Sequence, residues 1–295
     1  MDAISRHSLS GLSVSQAMRR QVIQLDQDTP IGNSINSMVK YKINALLTTD
    51  AEGTPVGVLS KTDIMGAYYA DLPIEAPIAD IMSTHPLFCD PEDSLEDALE
   101  KMRSHGVYRL YVTGPEQTTV SGVLAYPDIV GMLYQYCHEC KYSHFRRKKD
   151  LSLDSVRRLT VKDIMTREVQ AIFKDESLLM VMEALSAYRF GALLIQDREK
   201  VPCGVISKTD LTLAYKHGVA SATPSESIMS VPVKSCSQED MLEATIQKMI
   251  YTDLHRLFVY RANPNDMVGV ISLSDAARAR SGSCHACVSS RIKIQ

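Results

Sequence analysis

One pattern constrains this chain more than any other: it repeats itself four times. Segments ending in methionine recur as SQAM at Met18, ADIM at Met82, KDIM at Met165 and ESIM at Met229. The interval from Met18 to Met82 equals that from Met165 to Met229. Each methionine is followed, at a near-constant distance, by an apolar run and an acidic turn: GVLSKTD (57–63), GVLAYPD (122–128), GVISKTD (204–210) and GVISLSD (269–275). Gly57 is as far from Gly204 as Met18 is from Met165, so a pair of repeats is itself duplicated. A period of this length marks supersecondary units that bury their apolar faces against neighbours.

The interior of each repeat reads alike. A short extended run follows the methionine, as in QVIQL (21–25) or VQAIF (169–173). A polar turn then opens an amphipathic helix, clearest in PEDSLEDALEKMRSHG, where Leu95, Ala98, Leu99 and Met102 share one face and Gly106 is placed to end the helix. Two apolar runs come next, separated by turn residues such as Asp50–Gly53 or Asn263–Asp266. A last helix begins at the acidic turn. The fold class is therefore α/β (α+β), with the order strand, helix, strand, strand, helix in about 60 residues. One such unit is too small to hide its faces alone, which accounts for their arrival in twos. The expected divisions are an N-terminal segment 1–14, repeats at 15–72, 73–136, 161–218 and 219–280, a linker 137–160 and a tail 281–295.

The acidic turns are the first candidate for chemistry. At a strand-to-helix junction the carboxylate of S-x-x-D can accept both hydroxyls of a ribose, and the serine with the free N–H groups can hold phosphate. The candidates are Ser60, Thr62 and Asp63, then Ser207, Thr209 and Asp210, then Ser272, Ser274 and Asp275. Repeat 2 departs: it keeps Asp128 but has Ala125 for the serine and Pro127 before the acid. S-x-x-D is equally a helix capping box that needs no ligand. A second element tilts the balance. Arg109 and Arg256 lie inside the apolar strands VYRLYV and LHRLFV, with His255 beside the latter. A guanidinium buried there is costly unless it meets an anion; the alternative is a strand arginine facing solvent or a nearby acid. Lys40, Lys42, Lys101, Arg103 and Lys248 sit near helix ends, where they complement the dipole, and Cys89 and Cys236 occupy core positions.

The methionine box, the strand pair and the G-h-h-S-x-x-D turn together resemble the CBS (cystathionine-β-synthase) domain over about residues 15–280. The arrangement is similar to that of the gamma subunit of AMP-activated protein kinase. The resemblance implies two Bateman modules in a disk-like, pseudo-symmetric assembly. It implies a non-catalytic regulator that binds adenine nucleotides (AMP, ADP or ATP) or S-adenosyl compounds between paired repeats and signals to a protein partner. It further implies that Arg109, His255 and Arg256 face phosphates, each module combining a ribose-binding turn of the odd repeat with a basic residue of the even one.

A second constellation lies outside that pattern. Cys137-His138-Glu139-Cys140 and Cys284-His285-Ala286-Cys287 both begin nine residues after a repeat acid, and the same interval that relates the duplicated pairs relates them to each other. Two C-x-x-C pairs supply four thiolates, a ligand set for zinc or, second, an iron–sulfur cluster, with His138 and His285 as further ligands or supports. Two separate dithiols are the alternative. A metal- or redox-responsive protein with vestigial nucleotide clefts is thus a rival reading. The basic tract 141–149 offers a third, nucleic-acid contact, although such a tract is more often a solvated linker.

Composition narrows the classes. With 295 residues, 45% apolar and 23% charged, two globular units are expected. A net charge of −3 provides no global field toward nucleic acid or membrane. The N-terminal segment lacks the apolar core of a signal peptide, no apolar stretch approaches membrane-spanning length, and the seven cysteines suit a reducing compartment, so a cytoplasmic location is expected. Neither a nucleophile elbow, a Walker loop nor H-E-x-x-H occurs, so no enzyme class is indicated. A homodimer remains compatible with all of this.

Overall fold

The structure, a computed structural model, describes residues 11–114, 119–139 and 159–278. After a single helical turn α1 (Val14–Ala17), repeat 1 comprises β1 (Gln24–Asp26), α2 (Ile31–Lys40), β2 (Ala45–Thr49), β3 (Pro55–Ser60) and α3 (Lys61–Tyr69). A short strand β4 (Ser83–Thr84) precedes repeat 2, built from β5 (Phe88–Cys89), α4 (Leu95–Ser104), β6 (Arg109–Thr113), β7 (Val120–Ala125) and α5 (Tyr126–Glu139). The turn α6 (Val161–Ile164) leads into β8 (Ala171–Phe173), α7 (Leu178–Ala187), β9 (Ala192–Gln196), β10 (Pro202–Ser207) and α8 (Lys208–Lys216). Repeat 4 is β11 (Ser235–Ser237), α9 (Leu242–Tyr251), β12 (Arg256–Tyr260), β13 (Met267–Ser272) and α10 (Leu273–Arg278).

Each repeat makes the same small sheet. The first strand pairs parallel with the second, which pairs antiparallel with the third, as in Gln24↔Leu47 and Ala45↔Ser60. A very short first strand is enough because a helix then carries the chain back to a parallel start. The central strands carry consecutive apolar residues at their middles because both faces are covered there: every residue of β2 is buried, as are the three middle residues of β6 and β12. In α4 the expected stripe of Leu95, Ala98, Leu99 and Met102 is buried, Ser94 accepts from the Asp97 N–H at 3.0 Å, and Gly106 ends the helix at φ +65°.

Among the described residues the chain divides into two compact units, and these are not sequential pairs of repeats. Repeats 1 and 3 form one with the segments around Met82 and Met229; repeats 2 and 4 form the other with the segments around Met18 and Met165. In the odd unit the duplicated residues meet reciprocally. The Tyr68 hydroxyl donates to the Val219 carbonyl at 2.6 Å and the Tyr215 hydroxyl to the Leu72 carbonyl at 2.7 Å, while the two rings stack at 5.1 Å. Lys61 Nζ donates to Thr209 Oγ1 at 2.9 Å, and Lys208 Nζ to Thr62 Oγ1 at 2.8 Å. Duplicated residues that exchange partners in this way define a local pseudo-twofold axis.

The methionine boxes do not stay with the repeats they introduce. Arg19, next to Met18, exchanges two 2.9 Å backbone hydrogen bonds with Val123 of repeat 2. Ser230 does the same with Val205 of repeat 3, at 2.8 and 3.0 Å. Thr166 bonds twice to Val270, and β4 pairs with β3. Glycine makes the approach possible. A Cβ on Gly57, Gly122, Gly204 or Gly269 would lie 2.6–2.8 Å from the sulfur of Met82, Met18, Met229 or Met165 respectively. Each methionine therefore lies on the bare backbone of another repeat's third strand.

Candidate functional site

The four acids sit at the first turn of a helix, and in three repeats the preceding serine caps it. Asp63 Oδ2 accepts from the Ser60 N–H and the Ser60 hydroxyl, both at 2.7 Å. Asp210 Oδ2 is held the same way by Ser207, at 2.7 and 2.6 Å, and Asp275 Oδ2 by Ser272, at 2.9 and 2.6 Å. In repeat 2, with Ala125 in the serine's place, Asp128 Oδ2 accepts the Ala125 N–H at 2.8 Å without a hydroxyl beside it, and Pro127 contributes no N–H. The capping box anticipated as the alternative is thus present, and it uses one oxygen of each carboxylate.

The other oxygen faces the residue that follows a methionine. Asp63 Oδ1 accepts from the Ser83 hydroxyl at 3.4 Å and Asp210 Oδ1 from the Ser230 hydroxyl at 3.0 Å. Asp128 Oδ1 instead meets Arg19 Nε at 2.8 Å. Thr166 occupies the same position near repeat 4, where no hydrogen bond to Asp275 Oδ1 forms among the described residues. Sequence inspection of the turns alone misses these residues; comparing the positions after the four methionines would have found them.

Other expected residues fall into place around the acids. The hydroxyls of Ser60, Ser207 and Ser272 donate to the acids of their own caps. Thr62 and Thr209 accept from Lys208 and Lys61 and keep their own protons to donate. Ser274 bonds to Ser272 at 2.7 Å.

In the even unit, Arg109 and Arg256 open strands β6 and β12. By surface area each is half-buried, yet protein surrounds it on nearly every side, and burial pulls both guanidinium pKa values below their ordinary range. Arg109 lies beside Tyr111, whose pKa burial raises and the cation opposes, and within the field of Asp128 and Arg19. Arg256 makes no hydrogen bond or ion pair among the described residues; it feels Tyr108 and Asp275. Tyr108 packs edge-on against Tyr126 at 5.8 Å. The His255 carbonyl caps repeat 4 by accepting the Leu273 N–H at 3.0 Å. Burial raises the Asp128 pKa despite the opposing Arg19.

The helix-end cations have structural partners: Lys101 donates to the Phe88 carbonyl at 2.6 Å, the equivalent Lys248 to the Ser235 carbonyl at 2.8 Å, and Arg103 pairs with Glu100. Cys89 and Cys236 are buried, and burial pushes both thiols up to about 12. Helix α5 carries Cys137 and His138 in its last turn, but Cys140, Cys284, His285 and Cys287, like the basic tract 141–149, lie outside the described residues. Among the described residues no group of three or more metal-binding side chains occurs, and no helix is long and apolar enough to cross a membrane.

Comparison with known proteins agrees with this architecture. The CBS domain model matches four times, at residues 14–70, 78–134, 161–217 and 225–282. Protein SDS23 of Kluyveromyces lactis is 22% identical over 87% of the chain, which spans 60% of that protein; the match to SDS23 of Scheffersomyces stipitis spans 38% of its length. The CBS domain-containing protein YhcV of Bacillus subtilis is 27% identical over 40% of this chain and 82% of its own. Among solved structures, a Methanocaldococcus jannaschii protein described as a candidate archaeal homologue of γ-AMPK superposes with TM-score 0.74 at 18% identity, covering 90% of this chain and 99% of that one. An uncharacterised Pyrococcus horikoshii protein gives 0.58 at 18% identity with the same coverage. Four matched repeats take in most of the residues, and the chain belongs to the CBS-domain family.

Proposed function

We propose that this chain is a regulatory rather than catalytic protein that binds adenine nucleotides through its CBS repeats and signals their occupancy to a protein partner. The observation that carries the reading is the division of labour within each acid. One oxygen closes its own helix, while the other is turned to a neighbouring segment. Among the described residues, that second oxygen of Asp63 and Asp210 is met by a serine hydroxyl, a neutral donor that a ribose hydroxyl can replace. At Asp275 no donor meets it among the described residues. Arg256 has no anionic partner among those residues beyond the field of Asp275, and a phosphate would supply one.

Titration calorimetry with AMP, ADP and ATP tests this, using Asp63→Asn, Asp210→Asn and Asp275→Asn. Asparagine keeps an oxygen for the cap and turns an N–H₂ group, which cannot accept a sugar proton, to the outside. Loss of one hydrogen bond to a charged acceptor, roughly 1.5–3 kcal/mol, weakens binding at that repeat by about tenfold to a hundredfold. Binding unaffected by all three changes, or no adenine nucleotide bound by the parent protein, would show the acids to be caps and nothing more.

A further inference from the structure

Repeat 2 stands apart from the other three through its partner, not only through Ala125 and Pro127. We infer that Arg19 sets the occupancy of this repeat: its guanidinium takes the carboxylate oxygen that the other repeats leave for a sugar hydroxyl, so repeat 2 binds no ribose while Arg19 is in place. The inference rests on the nucleotide reading above and deepens it.

Position identifies the substitution. Arg19, Ser83, Thr166 and Ser230 each follow the methionine of a box, and each box lies along a third strand in its own unit. Where the residue is serine, a neutral hydroxyl reaches Oδ1 at 3.0 or 3.4 Å. Where it is arginine, a charged Nε reaches Oδ1 at 2.8 Å. A sugar hydroxyl would there have to displace a cation from the carboxylate, whereas in repeats 1 and 3 it would displace only a neutral hydroxyl.

Arg19 is also fixed in place. Two backbone hydrogen bonds to Val123 clamp its main chain, and Met18 lies against Gly122 on the same strand. The Asp128 side chain is only 11% exposed, while the Arg19 side chain is 47% exposed, so solvent screens the pair from the arginine's side alone. The Arg19 Nε occupies Oδ1, the oxygen that a sugar hydroxyl would need. Asp128 and Arg109 are both retained in repeat 2, so the groups for sugar and phosphate exist there behind the arginine.

The test is binding stoichiometry by titration calorimetry with AMP. R19S copies Ser83 and Ser230, R19Q can keep a neutral N–H donor at the Nε position without the charge, and R19K keeps the charge. One additional AMP per chain is expected for R19S and R19Q, lost again when Asp128→Asn is added, with no gain for R19K. Unchanged stoichiometry in both R19S and R19Q, with AMP still bound, overturns the role of Arg19 and leaves the nucleotide reading standing. A gain in R19K also overturns it, because charge would then not be the obstacle. Absence of AMP binding in every protein, parent included, overturns both. Should R19S not fold, R19Q decides alone.

Discussion

Alanine in place of Gly57 and of Gly66, nine residues apart in repeat 1, should change stability in opposite directions. A Cβ on Gly57 would lie 2.6 Å from Met82 Sδ, 2.7 Å from Thr48 Oγ1 and 2.9 Å from the Ser83 carbonyl oxygen. The sulfur belongs to a flexible side chain and can retreat. The hydroxyl is less free, since Thr48 Oγ1 donates to that sulfur at 3.1 Å. The carbonyl is main chain, in the segment where β3 and β4 pair through Gly57↔Thr84 and Val58↔Ser83. Relief therefore requires prising the methionine box from the sheet, and overpacking of this kind costs about 1–3 kcal/mol.

At Gly66, inside α3, a Cβ meets nothing within 4 Å. Alanine there gains helix propensity, roughly 0.5–1 kcal/mol in the stabilising direction. Thermal unfolding followed by circular dichroism separates the two. With about 2–4 °C per kcal/mol for domains of this size, G57A should melt about 2–12 °C lower and G66A about 1–4 °C higher. Combining G57A with Met82→Ala should recover only part of the loss, because the Ser83 carbonyl remains. A G57A protein as stable as the parent would refute the claim that methionine boxes are held by bare glycine backbone.

R19S should also show a pH-dependent defect. The folded Asp128 pKa is raised by burial and lowered by Arg19, so removing Arg19 raises it further. An acid with a raised folded pKa costs the fold nothing below its ordinary value, and the cost builds as pH climbs to the folded value and then stays constant. R19S should therefore lose more stability near pH 7 than near pH 4, which paired melting curves at the two values read directly. In Cys89 and Cys236 the thiols, pushed up to about 12, should resist maleimide at pH 7.5 in the folded protein, while the half-exposed Cys203 is modified. Peptide mass spectrometry distinguishes these sites, and rapid labelling of Cys89 would contradict its burial.

Much of the repeat is legible from local chemistry. The stripe Leu95, Ala98, Leu99 and Met102 and the terminator Gly106 depend on helical period and left-handed backbone, both local properties. Three of the acids too are legible, as residues three positions after a capping serine, and Asp128 by its place in the repeat. The partners of those acids are not. Arg19 lies at the start of repeat 1 and reaches Asp128 near the end of repeat 2, and nothing in the segment SQAMR says that its arginine faces a carboxylate. The grouping of repeats is hidden for a similar reason. Tyr68 and Val219 meet across 151 residues, and adjacency in sequence suggests pairs 1–2 and 3–4, whereas compact packing joins 1 with 3 and 2 with 4.

The choice between helix cap and ligand site, framed as exclusive on sequence grounds, dissolves at the level of single oxygens. A carboxylate has two, and the cap requires one. Capping with Oδ2 also orients the group, because the bonds from the Ser60 N–H and hydroxyl fix its plane and leave Oδ1 aimed at the post-methionine position. That position lies outside the repeat that supplies the acid. Ser83 stands four residues before Leu87, where the chain passes into the other compact unit. Whatever bonds to Asp63 Oδ1 therefore touches a segment that is covalently continuous with the next repeat. A lone repeat could cap its helix equally well but would have no such segment to meet its acid. The structural unit is then an acid together with a methionine box from elsewhere in the chain, and the identity of one residue in that box distinguishes an acid met by a hydroxyl from one already held by an arginine.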